Sequence, residues 1–261
     1  MGNSLTGRVA LVTGGTRGIG RGIAEAFLAE GASVMMSSRS ADKGAQALAE
    51  VSAGDRADFV SCDARDRASV NAMVDATVAR FGKVDILVNN AGGSDGFAPV
   101  HLMSDDAWDN ALNLGINTTF WATRRALASM VENGWGRIIN ISSVEGKVGS
   151  KPAISHYVTN KHGINGFTKA VATEYATHGI TSNAILPGAI ETDMMKEAGP
   201  GAAAASGITY EEFLDVFAQE AMIKRLNTVE EVAAVALLLA STAGAGITGG
   251  LINVDGGTSP Y

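Results

Sequence analysis

One cysteine, Cys62, is all that the 261 residues contain, so no disulfide can form within the chain and its fold must rest on burial and hydrogen bonding. Such sparing use of cysteine suits a reducing compartment, and the cytoplasm is the expected one. Long apolar runs are missing too. The strongest, "VAAVALLLA" at 232–240, is far short of the roughly 20 residues that span a bilayer, and the opening residues lack the charged-then-apolar pattern of a secretory leader. Positive charge is in deficit: 20 Lys and Arg against 27 Asp and Glu leave a net charge of -7. No basic cluster offsets it, which argues against nucleic acid or an anionic membrane as partner and leaves small-molecule chemistry. "MGNSLT" fits the loose N-myristoylation pattern at Gly2 and Thr6, but with no basic stretch to add a second anchor it reads as a chance match. Proline-rich, serine-rich and charged linkers are absent, so a single domain is expected.

What the chain does have is alternation. Short β-branched runs ("RVALVTG", "SVMMSS", "ADFVSCD", "VDILVNNAG", "GRIINISS", "ITSNAILPG" and "GLINVDGG") are separated by stretches of helical period. This predicts an α/β fold, a seven-stranded parallel sheet covered on both faces. One long helix is expected through Trp108, Leu112, Ile116, Phe120, Thr123, Leu127 and Met130, and another through Tyr157, Lys161, Ile164, Thr168, Val171 and Tyr175. The glycosylation sequons at Asn117 and Asn140 fall in this predicted helix and in a predicted strand, not in surface loops. Only the segment 194–226, with "GPGAAAASG" inside it, breaks the alternation. It reads as a mobile lid over a strand end, carrying one short helix at 211–221.

"TGGTRGIG" follows the first strand and opens a helix, with Gly14, Gly18 and Gly20 spaced so that bare backbone can approach a pyrophosphate at the helix N-terminus. An acidic residue at the end of the second strand would hold an NAD ribose, but that strand ends in Ser38 and Arg39. Arg39 and Arg17 can instead pair with a 2'-phosphate, which favours NADP over NAD. In "SHYVTNKHG", Tyr157 and Lys161 stand four apart and therefore on one helix face. An ammonium beside a phenol stabilises the phenolate, as a general acid/base needs, and Ser143 at the end of the fifth strand can reach a carbonyl oxygen.

"TGGTRGIG", "CDARD", "NNAG", "NISS", "YVTNK", "PGAIETDM" and "VDGG", in this order, resemble the short-chain dehydrogenase/reductase family over essentially the whole chain. The resemblance implies a doubly wound, Rossmann-type single domain and hydride transfer between nicotinamide and a ketone or secondary alcohol. It implies Ser143, Tyr157 and Lys161 as the catalytic set. Cofactor contacts are implied at Gly14, Thr16, Arg17, Gly18, Ile19, Gly20, Ser38, Arg39, Asp63, Ala64, Asn90, Ala91, Gly92, Tyr157, Lys161, Pro187, Gly188, Ile190 and Thr192. Among these, Asp63 looks like an adenine cap, Asn90 and Gly92 like a ribose wall, and Ile190 and Thr192 like a clamp on the carboxamide. No metal is implied. The chain is also similar to 3-ketoacyl carrier-protein reductases, but Gly134 and His178, with Glu132 nearby, stand where those commonly present basic residues to an acidic carrier. A free small-molecule substrate is therefore favoured. Assembly as a homotetramer or homodimer, through the helices around Phe120 and Phe167 and the last strand, is the family's habit.

The family's fourth catalytic residue is an asparagine whose position falls on Gly115, inside "ALNLGINTTFW". Asn113 and Asn117 lie about 200° away around a regular helix, so neither replaces it without a change in winding. A glycine costs roughly 1 kcal/mol in a helix interior but keeps its carbonyl and permits a bend. The expectation is a bent helix whose carbonyl at Gly115 still serves a proton relay. Glu145 and His156, beside Ser143 and Tyr157, read equally as pocket residues or as an exposed loop acid and a histidine at a subunit contact.

Overall fold

The computed structural model describes residues 3–259, so Gly2, the acylation candidate, lies outside the described residues. Seven strands form one parallel sheet: β1 (Val9–Val12), β2 (Ser33–Ser38), β3 (Ala57–Ser61), β4 (Ile86–Asn89), β5 (Gly136–Ile141), β6 (Ile180–Pro187) and β7 (Leu251–Val254). Their order is β3-β2-β1-β4-β5-β6-β7, so the winding reverses between β1 and β4. Alternate residues of each strand face opposite layers. Ala10, Val12, Ile86, Val88 and Ile139 meet α1 (Gly18–Ala29), α2 (Ala41–Val51) and α9 (Val229–Ala240) through Ile23, Phe27, Ala47, Val232 and Leu239. Leu11, Leu87 and Ile138 meet α3 (Arg67–Phe81), α5 (Thr118–Asn133) and α6 (Ser155–Tyr175) through Val70, Met73, Ala126, Met130 and Val171. Burial on both faces explains why these strands read as continuous apolar runs.

A buried polar chain ties the second layer to the sheet. Asn89 donates to Asn140 (2.8 Å) and Thr123 (3.1 Å), and Asn140 donates to Thr168 (2.8 Å). Asn140 is fully buried, so its sequon offers no surface acceptor in the folded chain.

Three elements depart from the sequence reading. The helix α2 was not expected: its buried face consists of Gly44 and Ala47 alone, too little for a periodic apolar signal. The segment 194–226 carries two helices instead of one, α7 (Asp193–Ala205) and α8 (Tyr210–Glu220). "GPGAAAA" is helical because alanine supplies propensity and Pro200 lies in a helix that Thr192 caps, while α8 opens on a capping box of Thr209 and Glu212. Finally, the long helix is broken into α4 (Asp105–Leu112) and α5 by a five-residue π-turn, Asn113–Asn117, centred on Gly115.

Candidate active site

The cleft lies at the carboxyl ends of β1, β4, β5 and β6, where the strand order reverses and the flanking connections diverge. It encloses about 860 Å³. Of the residues named from the sequence, Gly14, Arg17, Gly18, Ile19, Ser38, Arg39, Ala64, Asn90, Ala91, Gly92, Ser143, Tyr157, Lys161, Pro187, Gly188 and Thr192 line it. Thr16, Gly20, Asp63, Gly115 and Ile190 do not line it: Gly20, Gly115 and Ile190 are buried, while Asp63 is exposed.

At its mouth α1 begins without a side-chain cap and without an acid in its first turn, unlike α4, α8 and α9. The free Gly18 N–H is taken by the Asp193 carboxylate of α7 at 3.0 Å, and Arg17 pairs with Glu197 of the same helix at 2.8 Å. An anion is thus what this helix end holds, as its dipole and unpaired donors require. Asn90 secures the loop beneath: its amide donates to the Thr13 and Gly14 carbonyls at 2.9 and 3.1 Å, and Thr13 Oγ1 accepts from the Asn90 and Ala91 N–H groups. A side chain at Gly20 would overlap that amide and the Gly14 carbonyl, so the turn closes only over glycine. A helix start with no cap of its own, a fixed bare-backbone turn and the Asp193 carboxylate seated against them fit a dinucleotide pyrophosphate that takes that carboxylate's place.

Further along, Arg39 is exposed at the end of β2, with no ion pair among the described residues. Arg65 joins it on the cleft wall. It was not singled out from the sequence, because nothing in "CDARD" says which way the turn after β3 points the arginine. Asp63 shapes that turn by accepting from the Arg65 N–H at 3.0 Å and donating its own N–H to Ser69. Ile190 is buried in the core beside β6, leaving Thr192 as the side chain of that pair on the cleft.

At the inner end Ser143, Tyr157 and Lys161 converge. Ser143 leaves β5 and caps the short turn after it, its hydroxyl accepting from the Glu145 N–H at 3.1 Å. Lys161 is buried, donates to the Ile141 carbonyl at 2.8 Å and places its ammonium 5.6 Å from the centre of the Tyr157 ring. Burial pulls its pKa down to about 8. The Tyr157 phenol is pushed up by burial, and Glu145 adds to that, while a hydrogen bond with Ser143 opposes it. A neutral phenol and a cation poised near neutrality are suited to hand a proton to an oxygen.

Glu145 is not an exposed loop acid. It is buried and accepts from the Ser150 N–H (2.8 Å) and hydroxyl (2.7 Å), bracing the loop after Ser143. His156 is fully buried, with Nε2 2.9 Å from the Asp95 carbonyl and the Phe97 ring edge-on at 5.8 Å. Both residues hold loops that line the cleft and stay off its surface. Much of the rest of the wall is apolar, with Phe97 and Ile154 contributed by two loops, Leu114 by the turn between α4 and α5, and Met194, Met195 and Phe217 by the α7–α8 pair.

At the bend, Asn117 donates to Asn113 at 2.7 Å, so these two asparagines satisfy each other. The carboxamide seated against Gly115 belongs to Asn160 of α6, which the sequence reading missed. Only the packing of two helices distant in sequence brings a glycine and an asparagine together here.

Residues 8–203 match the family described as short chain dehydrogenase. The chain is 42% identical over 259 residues to a ketoacyl reductase assigned to the monensin polyketide synthase of Streptomyces virginiae, covering 98% of each protein. It is 36% identical over 255 residues to D-beta-hydroxybutyrate dehydrogenase of Cupriavidus necator, covering 97% of this chain and 98% of the other. A variant of actinorhodin polyketide ketoreductase crystallised with NADPH superposes with a TM-score of 0.92 at 37% identity, and the match covers 100% of both chains.

Proposed function

Because the chain belongs to the short-chain dehydrogenase family, we propose that it is an NADP(H)-dependent oxidoreductase that interconverts a ketone and a secondary alcohol. The convergence of Ser143, Tyr157 and Lys161 at one end of a cleft with arginines at the other carries this reading. NADP(H), when bound, supplies or accepts the hydride at the nicotinamide ring. The loop 13–20 and the α1 N-terminus would hold its pyrophosphate in place of Asp193, and Arg17, on release from Glu197, and Arg39, with Arg65 beside them, would hold the 2'-phosphate. Ser143 donates a hydrogen bond to the substrate oxygen, and Tyr157 gives that oxygen its proton in reduction or takes it in oxidation. Lys161 stabilises the phenolate that Tyr157 leaves. The apolar side chains on the cleft wall suit a ketone with a hydrocarbon body, and assays across a panel of ketones and alcohols with both cofactors test the assignment.

A 3-ketoacyl thioester is the second reading, favoured by the likeness to the ketoacyl reductase of Streptomyces virginiae. A carrier-bound substrate turned over more efficiently than the free ketones would establish it. Assembly through α5 and α6 is supported by Phe120, which is 41% exposed with the Phe167 ring edge-on at 6.1 Å, an apolar pair open to a second subunit.

Two results follow. Gly20→Ala forces a methyl into the Asn90 amide, and NADPH affinity, read by fluorescence titration, is expected to fall about 10-fold or more, since several loop donors lose their geometry together. The second concerns pH. Tyr157 is held above its ordinary pKa, so it stays protonated and Lys161 is the group that titrates. Reductive kcat/KM is expected to be level at neutral pH and to fall as pH rises through about 8, where the ammonium is lost. The same depression means that the unfolded chain binds more protons than the folded one from pH 8 upward, so conformational stability gains from this group as pH rises towards the ordinary lysine range.

A further inference from the structure

The π-turn between α4 and α5 is held open by one side chain. In a turn of this winding the Ile116 N–H would meet the Ala111 carbonyl, five residues back. It does not. The Ile116 N–H donates to Asn160 Oδ1 at 2.6 Å, and Asn160 Nδ2 donates to the Ala111 carbonyl at 3.0 Å. A carboxamide from α6 is thus inserted into the backbone ladder, acceptor to donor and donor to acceptor, with every bond satisfied and the side chain 1% exposed.

Gly115 makes room for it. A Cβ built there would overlap the nitrogen, oxygen and carbon of the Asn160 amide, so any other residue would expel it. The glycine serves close approach and not a left-handed backbone, since its φ lies outside that region. On the far side of the turn Thr118 Oγ1 stands within hydrogen-bond reach of the Asn113 carbonyl, at 2.7 Å, and of the Ala64 carbonyl of the cleft loop after β3, so its one proton serves either. Leu114 and Thr118 lie on the cleft wall. The turn is therefore anchored at one end to the nucleotide loop and at the other to α6.

Asn160 immediately precedes Lys161, whose ammonium is fixed, among the described residues, by a single hydrogen bond, to the Ile141 carbonyl. We propose that Asn160 is a positioning residue: by locking the α4–α5 turn onto α6 through the gap left at Gly115, it sets the depth at which Lys161 and Tyr157 sit in the cleft. It touches neither substrate nor cofactor in this role. A carboxamide suits the place because its acceptor and donor stand on separate atoms, side by side and far enough from the backbone of α6 to reach both ends of the opened ladder at once. An unfilled gap would leave a buried N–H and a buried carbonyl without partners.

The inference rests on the oxidoreductase reading for its kinetic readout, and a structural readout is kept separate. In Asn160→Ala the helices lose their lock. Reductive kcat is expected to fall about 10-fold to 100-fold, the loss that displacements near 1 Å produce, while KM for the ketone changes by less than about 3-fold. The alkaline limb of the pH profile is expected to move upward from its wild-type midpoint as Lys161 regains water. Asn160→Ser, a smaller and milder change, is read in the same way if the alanine variant does not fold. Gly115→Ala should lower Tm sharply in the wild type and little in the Asn160→Ala background, where the obstructing amide is gone. An unchanged kcat and pH midpoint in the Asn160 variants, or an equal Tm loss from Gly115→Ala in both backgrounds, would overturn the proposal. A wild-type protein inactive on every ketone would instead refute the oxidoreductase reading and leave the Tm coupling to decide whether the lock exists.

Discussion

Tyr157→Phe is expected to lower turnover by about 10³-fold or more while NADPH binding stays within about 2-fold of wild type, because the change deletes a proton donor and almost nothing else. The ring remains to fill its place on the cleft wall beside Lys161, and the residues proposed to hold the dinucleotide's phosphates lie at the other end of the cleft. A loss of this size in kcat with intact binding places the tyrosine in the proton transfer. Ser143 and Lys161 cannot make up the loss. The serine hydroxyl is too weak an acid, and the lysine ammonium is turned to the Ile141 carbonyl. Single-turnover measurements with saturating NADPH separate the two effects, and near-wild-type turnover by the variant would remove Tyr157 from the mechanism.

The second large effect concerns the choice of cofactor. Replacing Arg17 and Arg39 together with alanine is expected to weaken NADPH binding about 100-fold or more, at roughly 1.5–3 kcal/mol for each charge-assisted bond lost from the 2'-phosphate. NADH, which carries no such phosphate, should be bound nearly as before or better. The result is a switch in preference, read from the two dissociation constants. Arg17 already shows its affinity for an anion by pairing with Glu197, whereas Arg39 stands exposed with no ion pair among the described residues. Equal losses for both dinucleotides would mean that the arginines act on the loop and not on the phosphate. Arg65, on the same wall, is the residue to replace third.

How much of this was legible in the sequence depends on how local each cause is. The seven strands were, because a parallel strand buried on both faces is apolar along most of its length, and runs such as Ile86 to Val88 say so without help from their neighbours. The glycine loop and the Tyr157–Lys161 spacing were legible for the same reason: a turn that tolerates no Cβ and two side chains on one helix face are short-range constraints. The α2 helix was not, since it buries little more than Gly44 and Ala47. The α7 helix was obscured by its composition, since glycine and proline inside it mark turns far more often than helices.

Gly115 sits between these cases. Its disfavour in a helix announced a bend, and the π-turn is there, but the reason for the glycine lies 45 residues further on, in the amide of Asn160. Complementarity between two helices leaves no periodic trace in either. Glu145 and His156 illustrate the same limit. Both were candidates by adjacency, and both turned out to be buried braces, which only their partners Ser150 and Asp95 reveal.

Hydride transfer to a carbonyl in this cleft is the central claim. Incubating the protein with NADPH carrying deuterium at the transferable position of the nicotinamide ring, together with a panel of ketones and a 3-ketoacyl thioester, decides it. The prediction is a secondary alcohol bearing the deuterium on its carbinol carbon, formed with consumption of the labelled cofactor. Tight NADPH binding without label in any product across the panel would contradict it, and would mark the chain as a nucleotide-binding member of its family that has kept the fold without the chemistry.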